Sequence, residues 1–119
     1  ASMIYAGYKR IELRKQTPNV PIGTPCLIYE PLPIGRVTGY FTYAGTFEFN
    51  TLCINQSLLC DAGISYSKLR AYYESQVIGV AWRIKRAMIF LKTYKLTDFN
   101  VSRAPQSYCF VDIPDDFLI

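Results

Sequence analysis

The feature that most constrains the fold is a run of alternating residues at positions 36–44, with the sequence RVTGYFTYA. Its β-branched and aromatic side chains follow the period of two that places successive residues on opposite faces of a strand. Gly39 interrupts the run, and a glycine inside a strand permits a bend or the close approach of another backbone. The pattern predicts a strand that bends, as the corner of a small barrel requires.

Shorter segments of the same type lie on both sides of this strand. Residues 26–30 form an apolar run bounded by turn residues, and residues 77–84 alternate between apolar and polar positions. Residues 86–91 are expected to continue that strand or to turn into a neighbouring one, and residues 108–111 are predicted to form the final strand. Frequent short strands of this kind are typical of small barrels.

One helix is well marked. Ser65 is a suitable N-cap residue, and Leu69, Tyr72 and Tyr73 fall on one face of the helix that would follow it. Residues 17–25 contain three prolines and a glycine, which exclude a helix there. The sequence therefore predicts an α+β protein with a small β-barrel of about five to six strands, decorated by one or two helices.

A basic segment near the start of the chain, residues 7–15 (GYKRIELRK), holds four cations and one carboxylate. Alternation along a strand would direct Ile11 and Leu13 to one face and Glu12 to the other. Extended backwards, the same alternation places Lys9 with the apolar pair at the edge of the sheet, beside the Glu12–Arg14 pair. An exposed i,i+2 ion pair such as Glu12–Arg14 contributes only about 0 to 1 kcal/mol, so the segment alone favours a solvated strand over a site.

The charge of the chain is moderately positive and unevenly distributed. The net charge is +4, with twelve Lys and Arg against five Asp and Glu in residues 1–95, and one against four in residues 96–119. The chain also contains 10 tyrosines, which suit a β-rich core and equally a surface on which nucleic-acid bases stack. This composition permits nucleic acid as a partner without requiring it.

Cysteine and histidine usage excludes several kinds of site. The chain has no histidine, and its four cysteines form no C-x-x-C pair. A zinc site of the usual type and a His-activated nucleophile are therefore not expected, and neither a metal nor a cofactor is predicted. No signal peptide and no apolar run near 18 residues is present, so we expect a cytoplasmic protein with reduced thiols and no membrane contact.

The pattern Gly7-x-Lys9-x-x-Glu12-x-Arg14 resembles the opening signature of the ASCH domain, a small member of the PUA-like superfamily. Further landmarks occur in the order found in that family, at residues 27–30, 33–39, 62–65, 72–73 and 104–110. The resemblance covers nearly the whole chain. It implies a single ASCH-type, PUA-like domain over residues 1–119, with an N-terminus shorter than is usual for the family.

The resemblance also implies a cleft between the basic strand and a late loop containing Pro105. It favours an RNA or nucleotide-like ligand, because ASCH domains are expected to bind RNA. The resulting candidate binding residues are Lys9, Glu12, Arg14, Gln106 and Ser107, and two tyrosines of the predicted strands, Tyr29 and Tyr40, complete the set. Tyrosines in barrel strands often expose only their hydroxyl group, and the late loop equally suits a structural cap on the barrel.

Three alternatives accompany this interpretation. Certain ASCH domains act as ribonucleases, and in a metal-independent ribonuclease Lys9 and Ser107 would be catalytic while Arg14 would stabilise the transition state. An amidohydrolase branch of the family is disfavoured, because Glu12 stands where that branch has a threonine and no glutamate precedes the predicted helix. The third alternative is a protein-interaction module that forms a homodimer through an exposed sheet edge.

Two other features of the sequence have simple structural interpretations. Trp82 is the single tryptophan and lies between apolar neighbours, which is typical of a core residue. Five cations lie within thirteen residues and suit a solvated face or a track for a phosphate backbone: Arg83, Lys85, Arg86, Lys92 and Lys95.

Overall fold

The structure, a computed structural model, describes residues 2–105 and residue 111. Strands and helices are mixed along the chain, in the order α1 (Ser2–Tyr5), β1 (Ile11–Arg14), β2 (Pro25–Glu30), β3 (Arg36–Asn50), α2 (Gln56–Ala62), α3 (Tyr66–Tyr73), β4 (Ile78–Tyr94) and a 3₁₀ helix (Leu96–Phe99). The α+β class predicted from the sequence is confirmed. The predicted final strand at residues 108–111 lies outside the described residues, apart from Val111.

The strands form one antiparallel sheet in the order β1-β4-β3-β2. Within the described residues the sheet has four strands and is not closed, because β1 and β2 are its two edges and do not pair with each other. The sequence predicted a small barrel of about five to six strands, and the described residues hold four strands in an open sheet. Residues 77–84 and 86–91, which could have been separate strands, belong mainly to the single 17-residue strand β4.

Irregularities let these long strands stay paired while the sheet bends. The register between β3 and β4 shifts at three places, one of them between Val37 and Gly39. Arg86, inside β4, has φ 52°, which is uncommon for a residue with a side chain. A Cβ at Gly39 would contact the backbone carbonyl of Met88, so glycine is required where the two strands approach. The bend predicted from Gly39 therefore lies in a strand that continues beyond it.

One face of the sheet carries the main core. Leu13 of β1 and Ala81 of β4 pair directly, and both pack with the buried Leu69 and Tyr73 of α3. Leu69 is 0% exposed. Half-buried apolar residues of α2 and β3 complete this cluster, including Phe47, Phe49, Leu58 and Leu59. The helices thus cover one face of the β1–β4 pair.

Both main helices begin at side-chain caps. The predicted cap is confirmed, since the Ser65 hydroxyl accepts a hydrogen bond from the Lys68 backbone N–H at 3.3 Å. At the start of α2, the Asn55 side chain accepts a hydrogen bond from the Leu58 N–H at 2.9 Å. Gly63 ends α2 in the left-handed conformation, with φ 64°. Asn55 and Gly63 are the start and stop signals that could have identified this second helix in the sequence.

The opposite face of the same strands holds a smaller cluster. Tyr43, Val80 and Trp82 are buried there, which confirms Trp82 as a packed residue.

The short helix α1 is tied to β3 by a 2.6 Å hydrogen bond between the hydroxyls of Tyr5 and Thr38. Burial raises the pKa of the Tyr5 hydroxyl. No helix among the described residues has both the length and the apolar character needed to cross a membrane.

Candidate functional site

Strand β1 and the residues before it assemble a three-residue ionic cluster, Lys9–Glu12–Arg14. The Lys9 ammonium lies 3.1 Å from Glu12 Oε2, and Arg14 Nη2 lies 3.8 Å from Glu12 Oε1. The three side chains are 23%, 24% and 27% exposed, so each is partly withdrawn from water but still accessible. One carboxylate thus contacts a cation through each of its two oxygens.

Lys9 lies beside the Glu12–Arg14 pair, as predicted, but it does not follow the alternation of β1. Lys9 precedes β1, and its backbone N–H donates to the Met3 carbonyl of α1 at 3.0 Å. Gly7, with φ 82°, allows the chain to turn back in this way. Because the residue lies in this turn, it does not follow the alternation of the strand. The Lys9 side chain therefore joins Glu12 and Arg14 instead of Ile11 and Leu13.

Arg14 is held against the sheet by an aromatic neighbour and by its own backbone. Its guanidinium lies over the indole of Trp82, 5.5 Å from the ring centroid, and the indole N–H donates to the Gln16 carbonyl at 3.2 Å. The Arg14 carbonyl accepts a 2.9 Å hydrogen bond from the Tyr73 hydroxyl of α3. The helix-covered core thus fixes the strand that carries the ionic cluster.

The ionic cluster lines a cleft of about 760 Å³. Aromatic residues from four elements or their flanks form much of its wall: Tyr29, Phe41, Trp82 and Phe99. Cys26, Glu30 and Pro105 also line it, as do Ala104 and Val111. The cleft therefore combines a charged segment with a largely apolar and aromatic lining. This is the usual composition of a site for a small organic ligand.

Among the described cysteines, Cys26 lines this cleft. Burial raises its pKa to about 11, and the nearby Arg14 guanidinium opposes this shift only in part. The Cys26 Sγ lies 3.8 Å from the Thr24 carbonyl, an acceptor that favours the protonated thiol. At neutral pH Cys26 is therefore a neutral, weakly polar wall residue and not a thiolate nucleophile.

The candidate binding residues do not all meet in the cleft. Lys9, Glu12, Arg14 and Tyr29 line it together. Tyr40 lies elsewhere, since its neighbour Phe41 points into the cleft while the Tyr40 ring packs 5.9 Å from that of Phe90. Two further candidates, Gln106 and Ser107, lie outside the described residues. Of the five described candidates, the cleft therefore brings together all except Tyr40.

The five cations of β4 and its end are exposed and stand apart from the residues that line the cleft. Arg83 donates to the Thr46 carbonyl at 3.0 Å and its guanidinium lies 4.9 Å from the Phe47 ring centroid. Lys92 Nζ lies 5.2 Å from the Tyr94 ring centroid. These contacts fit the interpretation of a solvated face, on which charged groups lie over aromatic rings.

Phe41, Phe99 and Glu30 are cleft residues that the sequence interpretation did not single out. Alternation along β3 could have indicated Phe41. Adjacent residues of a strand point to opposite faces, so a cleft that receives Phe41 does not receive its neighbour Tyr40. Phe99 ends the 3₁₀ helix and reaches the cleft from a distant part of the chain. No local sequence signal gives that proximity.

The chemistry available in the cleft is limited and specific. The ionic cluster supplies cationic donors on either side of an anionic acceptor. Within residues 2–105 and 111, no group of three or more Cys, Asp or Glu side chains comes together to hold a metal ion. The described part of the cleft is therefore suited to hydrogen bonding and charge recognition.

Comparisons with known proteins identify the fold. No protein-family model matches the sequence, and no curated protein matches it significantly. The structure is similar to the crystal structure of ASCH from Zymomonas mobilis, with a TM-score of 0.74 and 19% identity over 89% of this chain and 76% of that one. A Tyr-to-Phe variant of the same protein matches with a TM-score of 0.71, 18% identity and coverage of 89% and 78%. The chain therefore has an α+β fold similar to that of the ASCH protein from Zymomonas mobilis.

Proposed function

We propose that the chain binds RNA or a nucleotide-like ligand in the cleft of the ionic cluster. The observation that carries this proposal is the convergence of Lys9, Glu12 and Arg14 with an aromatic lining in one cavity of about 760 Å³. Nucleotides combine a planar aromatic base, polar base edges and a negative phosphate. Each of these has a complementary group in the cleft.

The size and lining of the cleft support a nucleotide over a larger ligand. Pockets for small ligands typically measure about 300 to 1,000 Å³ and are mainly apolar with a few polar groups. A base that stacks on an aromatic side chain gains about 1 to 3 kcal/mol. Tyr29 is the half-buried aromatic residue of the lining, whereas Phe41, Trp82 and Phe99 are buried and form the walls behind it.

The test is incubation of the purified protein with labelled single-stranded RNA in EDTA, followed by measurement of gel mobility and fragment length. We expect a shift that weakens with salt, and a loss of that shift in Lys9→Ala. The matched control is Lys68→Ala, because Lys68 is an exposed lysine of α3 outside the cleft. Equal loss in both variants, or no shift with any RNA, would contradict RNA binding in the cleft.

The same experiment tests a metal-independent ribonuclease, the second candidate. The close approach of the Lys9 ammonium and the Glu12 carboxylate, at 3.1 Å, gives the cleft a proton donor beside an acceptor. Fragments that form in EDTA and disappear in both Lys9→Ala and Ser107→Ala would establish cleavage by these residues. A shift without fragments would restrict the function to binding.

A homodimer is the remaining candidate, and one surface favours it. Met88, Ile89 and Leu91 of β4 are 53%, 63% and 109% exposed. Sedimentation of the purified protein at several concentrations tests this interpretation, with Leu91→Ser as the variant expected to reduce any association.

We further propose a cytoplasmic location, which agrees with the free thiols of Cys26, Cys53 and Cys60.

A further inference from the structure

We infer that Tyr8 is a stacking platform for the base of a nucleotide adjacent to the one held in the cleft. This inference rests on the proposed function, and it names the ligand class as an RNA strand of two or more nucleotides instead of a free nucleotide. Tyr8 lies in the turn between α1 and β1, one residue before Lys9. It is an aromatic residue that is 73% exposed.

Tyr8 lies at the edge of the cleft because two of its neighbours line the cleft. Its Cα is about 3.8 Å from that of Lys9 along the chain, and its backbone N–H donates to the Met3 carbonyl at 3.0 Å. Lys9 and Met3 both line the cleft, whereas Tyr8 does not. Together with its high exposure, this shows that Tyr8 projects from the rim into solvent.

The turn that carries Tyr8 is held on both sides. The N–H groups of Tyr8 and Lys9 both donate to the Met3 carbonyl of α1, each at 3.0 Å. Two residues further along, the Arg10 N–H donates to the Asp61 carbonyl of α2 at 2.7 Å. A tyrosine has only two side-chain torsions, so a ring on a fixed backbone loses little freedom when a ligand binds. Tyr8 is therefore largely ordered before a strand arrives.

The size of the cleft leaves room at the rim for a second nucleotide. A volume of about 760 Å³ is typical of a pocket for one small ligand. A nucleotide that follows or precedes the one in the cleft must therefore lie outside it. The rim at Tyr8 is a surface on which the base of that neighbour can rest.

An exposed aromatic ring beside positive charge suits such a neighbour. Every base has a π-face, so stacking on tyrosine tolerates any base at that position. Lys9 and the exposed Arg10 follow Tyr8 directly in the chain. Their charges attract the phosphate that joins two nucleotides. The turn thus combines the two elements with which proteins bind single strands without reading their sequence.

Two other exposed tyrosines lack this setting. Tyr66 and Tyr72 are 48% and 37% exposed, and both lie on α3 outside the cleft lining. The Tyr72 ring is also occupied, since Lys15 Nζ lies 5.0 Å and the Tyr73 ring 4.8 Å from its centroid. Exposure alone is common on protein surfaces. The place of Tyr8 between the cleft and Arg10 is what distinguishes it.

The experiment is calorimetric titration of the whole chain in EDTA at one salt concentration. The ligands are the four nucleoside 5′-monophosphates and the RNA trinucleotides pApNpA, in which N is each base in turn. We expect the trinucleotides to bind more tightly than the monophosphates. Tyr8→Ala should lower the ratio of trinucleotide to mononucleotide affinity by about 5- to 150-fold, the range expected for the loss of one stacked base.

Two further variants separate stacking from other effects. Tyr8→Phe should keep the ratio of the wild-type protein, because the ring face does not depend on the hydroxyl. Tyr66→Ala is the matched control and should keep it too, since Tyr66 is an exposed tyrosine outside the cleft. A ratio unchanged in Tyr8→Ala, or lowered equally in Tyr66→Ala, would overturn the inference and leave nucleotide binding in the cleft intact. Failure of every monophosphate and every trinucleotide to bind would overturn the proposed function as well.

Discussion

The two faces of the β1–β4 pair differ sharply in what they carry. On one face, Leu13 and Ala81 are buried beneath α3 and join the main core. On the other, Glu12 and Arg14 line the cleft beside Trp82. A strand of only four residues thus contributes to the stability of the protein with one set of side chains and to its candidate site with the other.

The difference shows how charged residues are accommodated inside a small protein. The core face uses apolar burial, which contributes about 25 cal/mol per Å² of apolar surface. The cleft face keeps its charges mutually paired and partly hydrated, which avoids the large cost of an isolated buried charge. We therefore expect changes on the core face to alter stability, and changes on the cleft face to alter binding.

Among the variants that test this comparison, Leu69→Ala is expected to change stability most. Leu69 is 0% exposed in the main core, so its truncation should lower the free energy of unfolding by about 2 to 5 kcal/mol. Denaturation in urea, monitored by circular dichroism, measures the change. Leu52→Ala is the control, because Leu52 is 58% exposed and should shift the free energy by less than about 0.5 kcal/mol. Similar shifts in both variants would contradict the assignment of the core.

Gly79→Ala should have the next largest effect. A Cβ at this position would lie 2.6 Å from Phe49 Cζ and 2.8 Å from Tyr73 Cζ, both on packed rings that leave little room to move. Overpacking of this kind costs about 1 to 3 kcal/mol. The midpoint of urea denaturation should therefore fall. A midpoint equal to that of the wild-type protein would show that the two rings are more loosely packed than the structure indicates.

Tyr73→Phe removes the direct link between the two faces. The Tyr73 hydroxyl donates to the Arg14 carbonyl at 2.9 Å and lies 3.4 Å from the Val80 carbonyl. Its loss removes these hydrogen bonds, and we expect the free energy of unfolding to fall by about 0.5 to 1.5 kcal/mol. Tyr72→Phe is the control, because Tyr72 is 37% exposed. A larger loss of nucleotide affinity than of stability would show that Tyr73 also positions the ionic cluster.

Much of the fold could be predicted from the sequence, because strand alternation and helix caps depend on residues that are close together in the chain. The alternation at residues 36–44 and the cap at Ser65 correspond to β3 and α3. The number of strands was not predictable in the same way, since β4 continues through Arg86 at a positive φ. Pairing with β3 on either side of Arg86 keeps β4 continuous, and the sequence alone does not reveal this pairing.

The candidate site was only partly predictable, for reasons of chain geometry. The spacing of Glu12 and Arg14 along β1 places both on one face, so a local rule was sufficient. Lys9 reaches the pair from the turn at Gly7, before the strand begins, so the alternation of β1 does not describe it. On β3, Phe41 lines the cleft and its neighbour Tyr40 does not. Phe99 approaches from far along the chain, and such a contact depends on tertiary packing that no short motif encodes.

The smallest predicted effect concerns the cleft thiol. Burial raises the pKa of Cys26 from an ordinary 9.0 to about 11. At pH 8 this leaves about a hundredfold less thiolate than an ordinary thiol would have, and the thiolate is the reactive form. Iodoacetamide should therefore modify the exposed Cys53 well before Cys26, as measured by peptide mass spectrometry.

The pH dependence and the effect of ligand make this last prediction specific to the cleft. The native state keeps the Cys26 proton between pH 9 and about 11, where an unfolded chain releases it, so this thiol should lower stability as pH rises through that window. Alkylation of Cys26 should accelerate over the same range. A bound nucleotide should slow the reaction at Cys26 and leave Cys53 unaffected. Equal alkylation of the two thiols at pH 8 would show that burial in the cleft wall does not protect Cys26. The cleft face would then differ less from the open surface than the structure indicates.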